Sequence, residues 1–319
     1  MERFIVVVTE PIHPAGIQLL EEAGVEAVQL PPGSDEDALM GEAPMADALI
    51  TRGGIRVTRE IMEASPRLRV VGIHGVGSDH VDLRAAVELG KAVFNTPSAL
   101  TVTVAEMTMA LMLALIRKVA RADRAVRAGE WGRKYGDLIG FELIGKTVGI
   151  VGLGRIGSAV ARRLKAFGVE LLYHDVVERR ELEAELGMRR VELDALLRMS
   201  DIITLHTPLI PETRGLISRR ELDLMRDGVY LVNVSRGEVV DQEALVEALR
   251  SGKVAGAALD VFEDEPLDPA DPLASMDNVI LTPHIGATTE EALRRMALQV
   301  AEGVIKALRG EAPEGLVKV

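Results

Sequence analysis

The chain has 319 residues and no cysteine. Disulfides, thiol nucleophiles and cysteine-ligated metals are therefore excluded. It has no excess of positive charge either. The formal net charge is −12, so bulk electrostatics disfavour nucleic acid or an anionic membrane as a partner. No apolar run is long enough to cross a bilayer. The most apolar helical stretch, Met107 to Ile116, is closed off by Glu106 on one side and by Arg117 and Lys118 on the other. The start, MERFIVVVTEP, sets an acid and a base before an apolar run. It reads as a first β-strand and not as a signal peptide. No two histidines have metal-ligand spacing on one helix face, so no metal is expected. Internal repeats and low-complexity segments are absent as well. Together these absences predict a soluble cytoplasmic protein.

What is present is ordinary globular chemistry, 48% hydrophobic and 27% charged, with length for about two domains. Strand signals recur at Phe4 to Val8, Val25 to Leu30, Ala48 to Thr51, Leu68 to Ile73 and Ala92 to Asn95. A helix is expected around Ala15 to Ala23. Such alternation predicts a small parallel α/β domain. Thr101 to Val119 reads as one long helix, apolar nearly all round and so buried on most sides. It fits a core helix between domains as well as a subunit interface. From Thr147 to His284 the alternation resumes, with six strand tips at Gly152, Asp175, His206, Ser235, Asp260 and Pro283. Six such strands fit a doubly wound sheet, which binds ligands beyond its carboxyl edge. The amphipathic helix Glu290 to Leu308 is expected to return to the first domain.

The most informative stretch is TVGIVGLGRIG, Thr147 to Gly157. An apolar strand runs into a glycine turn that opens a helix. Gly152 permits the tight bend, Gly154 lets backbone approach a pyrophosphate, and Gly157 lets helix pack closely on strand. Free N–H groups and the positive helix end then face the phosphates. Alone, the pattern also fits an ordinary turn. Two features of context distinguish it. A second strand follows the helix, and it ends at Asp175, 18 residues past Gly157. A carboxylate there accepts from the adenosine ribose hydroxyls and repels a 2′-phosphate, so NAD is expected rather than NADP.

Three charged residues stand at or just past the late strand tips: Arg236 after VYLVNVS, Glu265 after AALDVFED and His284 after VILTP. Singly, each reads as a surface ion pair, a solvated loop or a structural histidine. As a set on one ligand-binding edge they supply hydride chemistry at a carbonyl. A guanidinium binds a carboxylate through two parallel bonds. A histidine gives a proton to a nascent alkoxide or takes one from an alcohol. A carboxylate beside it favours imidazolium and fixes which nitrogen faces substrate. The loop HGVGSDH, His74 to His80, offers backbone N–H groups to a carboxylate, or is a plain turn. His206 is placed at the adenine pocket, and His13 and His174 are read as structural or surface.

These residues lie in stretches that resemble the D-isomer-specific 2-hydroxyacid dehydrogenases along nearly the whole chain. The stretches are HGVGSDHVD, VAEMTMALMLALIRK, GKTVGIVGLGRIG, HTPLIPETRGLI, VNVSRGEVVD, VAGAALDVFEDEPL and NVILTPHIGATTEEA. The resemblance implies an α/β protein of two doubly wound parallel-sheet domains. A Rossmann NAD-binding domain, 99–287, is inserted into a flavodoxin-like substrate domain, 1–98 plus 288–319. It implies Arg236, Glu265 and His284 as the catalytic residues, and Asp260 at the nicotinamide carboxamide. The cofactor wall is expected from Gly152, Gly154, Arg155, Ile156, Gly157, Asp175, His206, Thr207, Pro208, Thr213, Val234, Ser235 and Gly286, with Arg155 and Ile156 at the pyrophosphate. Gly75, Val76 and Gly77 would hold the carboxylate of a small 2-hydroxy or 2-keto acid. A homodimer through the 101–119 helix is implied too.

Within the family the nearest likeness is to the phosphoglycerate dehydrogenases. Arg52, in LITRGGIRVT, matches their phosphate-side arginine. Ile73 stands where they usually carry a second arginine, which weakens phosphate recognition. Glyoxylate and hydroxypyruvate reductases, which need no phosphate site, are the alternative. An NAD-sensing regulatory protein is the reading from another class, and the complete catalytic set argues against it.

Overall fold

Segments such as IVVV, ALIT and VVGI are apolar on both faces, and a strand of this kind needs cover on both sides. In the computed structural model, which describes residues 3–317, they join one parallel sheet. Its strands are β1 (Ile5–Val8), β2 (Glu26–Gln29), β3 (Ala48–Thr51), β4 (Val70–Ile73) and β5 (Ala92–Phe94), in the order β2-β1-β3-β4-β5. That is the flavodoxin-like order. The chain divides into two compact units. One runs to Leu100 and takes up the chain again from Ala287, and the other is Thr101–Gly286.

In the first unit, Val7, Leu49, Val71 and Ile73 face a core with Leu39, Ile61 and Met62. Val6, Val8, Ala48, Ile50 and Val70 face the other way. That face is covered by the helix Glu290–Leu308 through Ala297, Val300, Ala301 and Val304. The far end of the chain thus returns to the first sheet. Contact is close. A Cβ at Gly72 would lie 2.7 Å from Val300 Cγ2. Thr289 caps this helix by accepting from the Ala292 N–H, with Glu290 and Glu291 complementing the positive end.

The second unit holds seven parallel strands: β6 (Thr147–Val151), β7 (Glu170–His174), β8 (Arg189–Arg190), β9 (Ile202–Leu205), β10 (Val229–Asn233), β11 (Val254–Leu259) and β12 (Val279–Leu281). Their order is β12-β11-β10-β9-β6-β7-β8, a Rossmann arrangement with its switch point between β6 and β9. Six strands were expected. The additional one, β8, is a polar two-residue edge pairing with Leu172 and Tyr173, too short to show any period.

The long helix is also shorter than expected. It spans Thr101–Ile116, and nine of its residues are buried, among them Val104, Met109, Met112 and Ile116. At Lys118 the backbone turns left-handed, φ 55°, and a second helix, Val119–Arg127, begins. Its sequence VARADRAVR buries only Ala125. The chain leaves the core there because its apolar face ends.

Candidate active site

Arg236, Glu265 and His284 lie past the carboxyl ends of β10, β11 and β12. His284, three residues past β12, takes φ 51°. Its N–H donates to the carbonyls of Asp260 and Thr282 at 2.9 and 3.0 Å. Its ring Nδ1 lies 2.7 Å from Glu265 Oε2, which leaves Nε2 as the outward nitrogen. Glu265 Oε1 accepts from the Phe262 N–H at 3.1 Å. Burial pushes the Glu265 carboxyl up. The His284 hydrogen bond and charge, the Phe262 N–H and nearby Arg236 outweigh it, so the group titrates below its ordinary value.

Asp260 is almost fully buried. Its Oδ1 accepts from the Ile285 N–H at 2.9 Å and the Thr282 hydroxyl at 2.6 Å, and its Oδ2 accepts from the Gly286 N–H at 2.7 Å. The carboxylate assigned to the carboxamide is therefore also the post on which the His284 loop is built. A Cβ at Gly286 would lie 2.9 Å from Asp260 Oδ2.

Arg236 follows β10 on a loop shaped by Asn233, which sequence reasoning passed over. Asn233 Oδ1 accepts from the N–H and hydroxyl of Ser235, and its amide donates to the Arg236 carbonyl at 2.8 Å. Gly237 was missed as well. A Cβ there would lie 1.8 Å from the Phe262 carbonyl carbon. Only glycine lets the loops after β10 and β11 meet. A glycine directly after a charged strand-tip residue was the available signal.

The glycine turn can be tested for fit to a dinucleotide. Gly152 sits at φ 90°, and its Cβ would strike the His206 carbonyl carbon at 2.8 Å. A Cβ at Gly157 would lie 2.1 Å from the Gly152 carbonyl oxygen. Gly154 differs, with nothing within 4 Å of its Cβ position. Packing does not require glycine at Gly154, but close approach by a phosphate does. The helix Arg155–Lys165 starts there without a side-chain cap, so its first N–H groups, including those of Arg155 and Ile156, lack that partner. The buried Thr207 hydroxyl has no hydrogen-bond partner. A cradle with space, free donors and an unmatched hydroxyl fits a pyrophosphate and its ribose.

Asp175 lies at the tip of β7. Its Oδ2 accepts from the Leu153 N–H at 2.6 Å and its Oδ1 from the Val177 N–H at 2.8 Å. Each oxygen keeps a lone pair for a ribose hydroxyl. His206 Nε2 lies 2.9 Å from the Thr204 hydroxyl, and burial lowers its pKa to about 3. The ring is a neutral wall. Thr213 accepts from the Ile210 N–H at 3.0 Å and donates to the Pro208 carbonyl at 2.6 Å, which shapes the loop after β9. Val234 and Ser235 are buried beside Arg236.

In the first unit, Gly75, Val76 and Gly77 follow β4. The Thr96 N–H and hydroxyl donate to the Gly75 carbonyl at 2.8 and 3.0 Å. The Asn95 amide donates to the Val76 carbonyl at 2.7 Å. With its carbonyls held from behind, the loop leaves the Val76 and Gly77 N–H groups without acceptors among the described residues. Arg52, past β3, is exposed and donates Nη1 to the Pro11 carbonyl at 2.7 Å. Ile73 is 1% exposed and belongs to the core.

A family model described as D-isomer specific 2-hydroxyacid dehydrogenase, NAD binding domain, matches residues 109–286. The chain belongs to this family. Its cofactor is NAD. A D-3-phosphoglycerate dehydrogenase of Methanocaldococcus jannaschii is 44% identical over 98% of the chain. The chain spans only 59% of that relative's length. A glyoxylate reductase of Aeropyrum pernix is 45% identical over 99% of this chain and 96% of its own. Among solved structures, a D-lactate dehydrogenase of Aquifex aeolicus complexed with NAD and lactic acid superposes with TM-score 0.89 at 32% identity, covering 98% of both chains. Among the described residues, no group of acidic or histidine side chains could hold a metal ion, and no helix is long and apolar enough to cross a membrane.

Proposed function

We propose that the chain interconverts small D-2-hydroxy acids and 2-keto acids, with NAD as hydride acceptor or NADH as donor. The observation that carries this reading is the 2.7 Å contact between Glu265 and His284 Nδ1, beside Arg236 on one edge of a dinucleotide-binding sheet. When bound, the nicotinamide supplies or accepts the hydride. His284 Nε2 then gives the proton to the new alkoxide, or takes it from the alcohol. Glu265 fixes the ring and favours the imidazolium. Arg236 binds the carboxylate or polarises the carbonyl, and the Val76 and Gly77 N–H groups take carboxylate oxygens. Asp175 accepts from the adenosine ribose.

For the substrate we favour an unphosphorylated acid such as glyoxylate or hydroxypyruvate. Ile73 supports this, because the position is core and offers no second guanidinium. The Aeropyrum relative, matched along 96% of its length, is named for glyoxylate. Phosphoglycerate is the second reading, supported by Arg52 and by the name of the Methanocaldococcus relative. A homodimer is part of the proposal. It is supported by Val126, Trp131, Tyr135 and Ile139, which are 57 to 80% exposed on and after the helix Val119–Arg127, a density of surface apolar side chains that favours burial against a partner. NADH oxidation with glyoxylate, hydroxypyruvate and phosphohydroxypyruvate tests the reading. Turnover of none refutes it, and faster turnover of the phosphorylated acid selects the second substrate.

A further inference from the structure

Two successive carbonyls in the loop after β4 are held by two successive residues past β5. The Thr96 N–H and hydroxyl donate to the Gly75 carbonyl at 2.8 and 3.0 Å. The Asn95 side-chain amide donates to the Val76 carbonyl at 2.7 Å. A peptide unit is planar and trans, so the C=O of one residue and the N–H of the next point in opposite directions. Holding the Gly75 carbonyl therefore aims the Val76 N–H, and holding the Val76 carbonyl aims the Gly77 N–H. Neither N–H has an acceptor among the described residues. Thr96 is fully buried and grips the loop with two donors. Half-buried Asn95 has one bond to it, so the placement of Asn95 decides where the Gly77 N–H points.

That placement is set from the other side. β5 is the outer strand of the first sheet, and residues 315–317 run antiparallel along its outer edge. Phe94 pairs with Leu316. The Val317 N–H donates to the Val93 carbonyl at 2.9 Å, and the Asn95 N–H donates to the Gly315 carbonyl at 3.1 Å. Val317 packs on the core that contains Val93. Gly315 has φ 78°, and a Cβ there would strike the Asn95 carbonyl oxygen and lie 3.3 Å from Asn95 Oδ1. Only glycine allows this approach. The segment is a short strap. It grips the Asn95 backbone from behind while the Asn95 side chain reaches forward to the loop.

We propose that Asn95 is a positioning residue that aims the Gly77 N–H at the substrate carboxylate, and that the strap 315–317 holds Asn95 for this task. Affinity for the acid is thereby set from the outer edge of the first sheet. This rests on the dehydrogenase reading above, in which the Val76 and Gly77 N–H groups take carboxylate oxygens. Every acid of the class carries that carboxylate, so the strap acts on all of them alike. A contact made equally in the bound acid and in the transition state changes KM and leaves kcat.

The experiment compares wild type with Asn95→Ala and with Gly315→Ala. The first removes the amide. The second keeps Asn95 and pushes the strap away from it. With NADH, Asn95→Ala is expected to raise KM for glyoxylate and for hydroxypyruvate by one common factor of about ten, as the loss of one hydrogen bond to a charged group does. Gly315→Ala should raise both about threefold, since the amide remains. In each variant kcat should change less than twofold and KM for NADH should stay the same. Val317→Pro removes one N–H of the strap and serves if either variant folds poorly. A merely structural role would reduce the active fraction and so kcat, with KM unchanged, and that result overturns the proposal. So does a loss confined to one acid. Calorimetric titration of the NADH-loaded enzyme with glycolate reads affinity without turnover, because both ligands are in the reduced form. Weaker binding by the same factors supports the proposal, and unchanged binding overturns it. Wild type that binds glycolate but reduces no 2-keto acid refutes only the dehydrogenase reading, and the titrations of the variants still decide the role of the strap. Wild type that binds no acid overturns the proposal.

Discussion

Asp175 Oδ2 accepts a 2.6 Å hydrogen bond from the N–H of Leu153, a residue inside the glycine turn. The carboxylate expected to read the ribose therefore also closes the turn expected to receive the pyrophosphate. Asp175→Ala leaves the N–H of fully buried Leu153 unpaired, at a cost of about 1–3 kcal/mol. The variant should narrow the NAD over NADP preference while raising KM for both cofactors. Initial rates with each cofactor check this. A gain for NADP with no loss for NAD would contradict the second role.

Glu265→Gln keeps the shape of the pair but removes the charge that favours imidazolium. Reduction of a 2-keto acid should fall by about 10²-fold, within the usual range for losing acid–base assistance. His284→Ala should fall at least as far, and the double variant should be little worse than His284→Ala, since the two act as a unit. Single-turnover rates of NADH oxidation measure each. Additive losses would show that the pair is not one device.

Gly237→Ala places a methyl carbon where the Phe262 carbonyl carbon lies 1.8 Å away. The loops after β10 and β11 must separate, at a cost of about 3 kcal/mol. Arg236 then moves away from Glu265 and His284. We expect a lower melting temperature together with loss of turnover. An active, fully stable variant would mean that the loops part freely.

His74 predicts a pH effect. Burial, and then the charge of Arg52, lowers its pKa from 6.5 to about 4. The folded state keeps the ring neutral while the unfolded chain protonates it. The unfolded state thus binds more protons between these values, and stability falls as pH falls from 6.5 towards 4, by up to about 1.4 kcal/mol per pH unit. Above 6.5 the effect vanishes. Urea midpoints at pH 7 and pH 5 should differ less in His74→Asn than in wild type, and equal differences would refute the assignment.

The candidate site residues that lie at or shortly past apolar strands could be picked out in the sequence. Arg236, Glu265, His284, Asp175 and the glycine turn each end a recognisable run, and a parallel sheet gathers such ends along one edge. Residues that hold them were not legible. Glu10 meets the loop of Arg52 some 42 to 45 positions away, and Asn95 and Thr96 meet Gly75 and Val76 across two strand tips. Nothing local marks these pairings, because adjacent parallel strands are joined by whole helices. The left-handed Lys118 was hidden for another reason. Arg117 and Lys118 close the apolar stretch, but no glycine or proline stands there to mark a break, and Val119 carries the expected helix past it.

The helix Glu290–Leu308 covers a sheet whose strands all lie before Leu100. During synthesis the two units therefore mature in an order opposite to their start points. Residues 101–286 contain their whole core in one uninterrupted stretch and can complete it on emerging from the ribosome. The first sheet emerges earlier but keeps Val6, Val8, Ala48, Ile50 and Val70 uncovered until Ala297, Val300, Ala301 and Val304 are made. The sheet translated first is the one that finishes last. During that interval its open apolar face is the surface on which a chaperone, or a second nascent chain, would act.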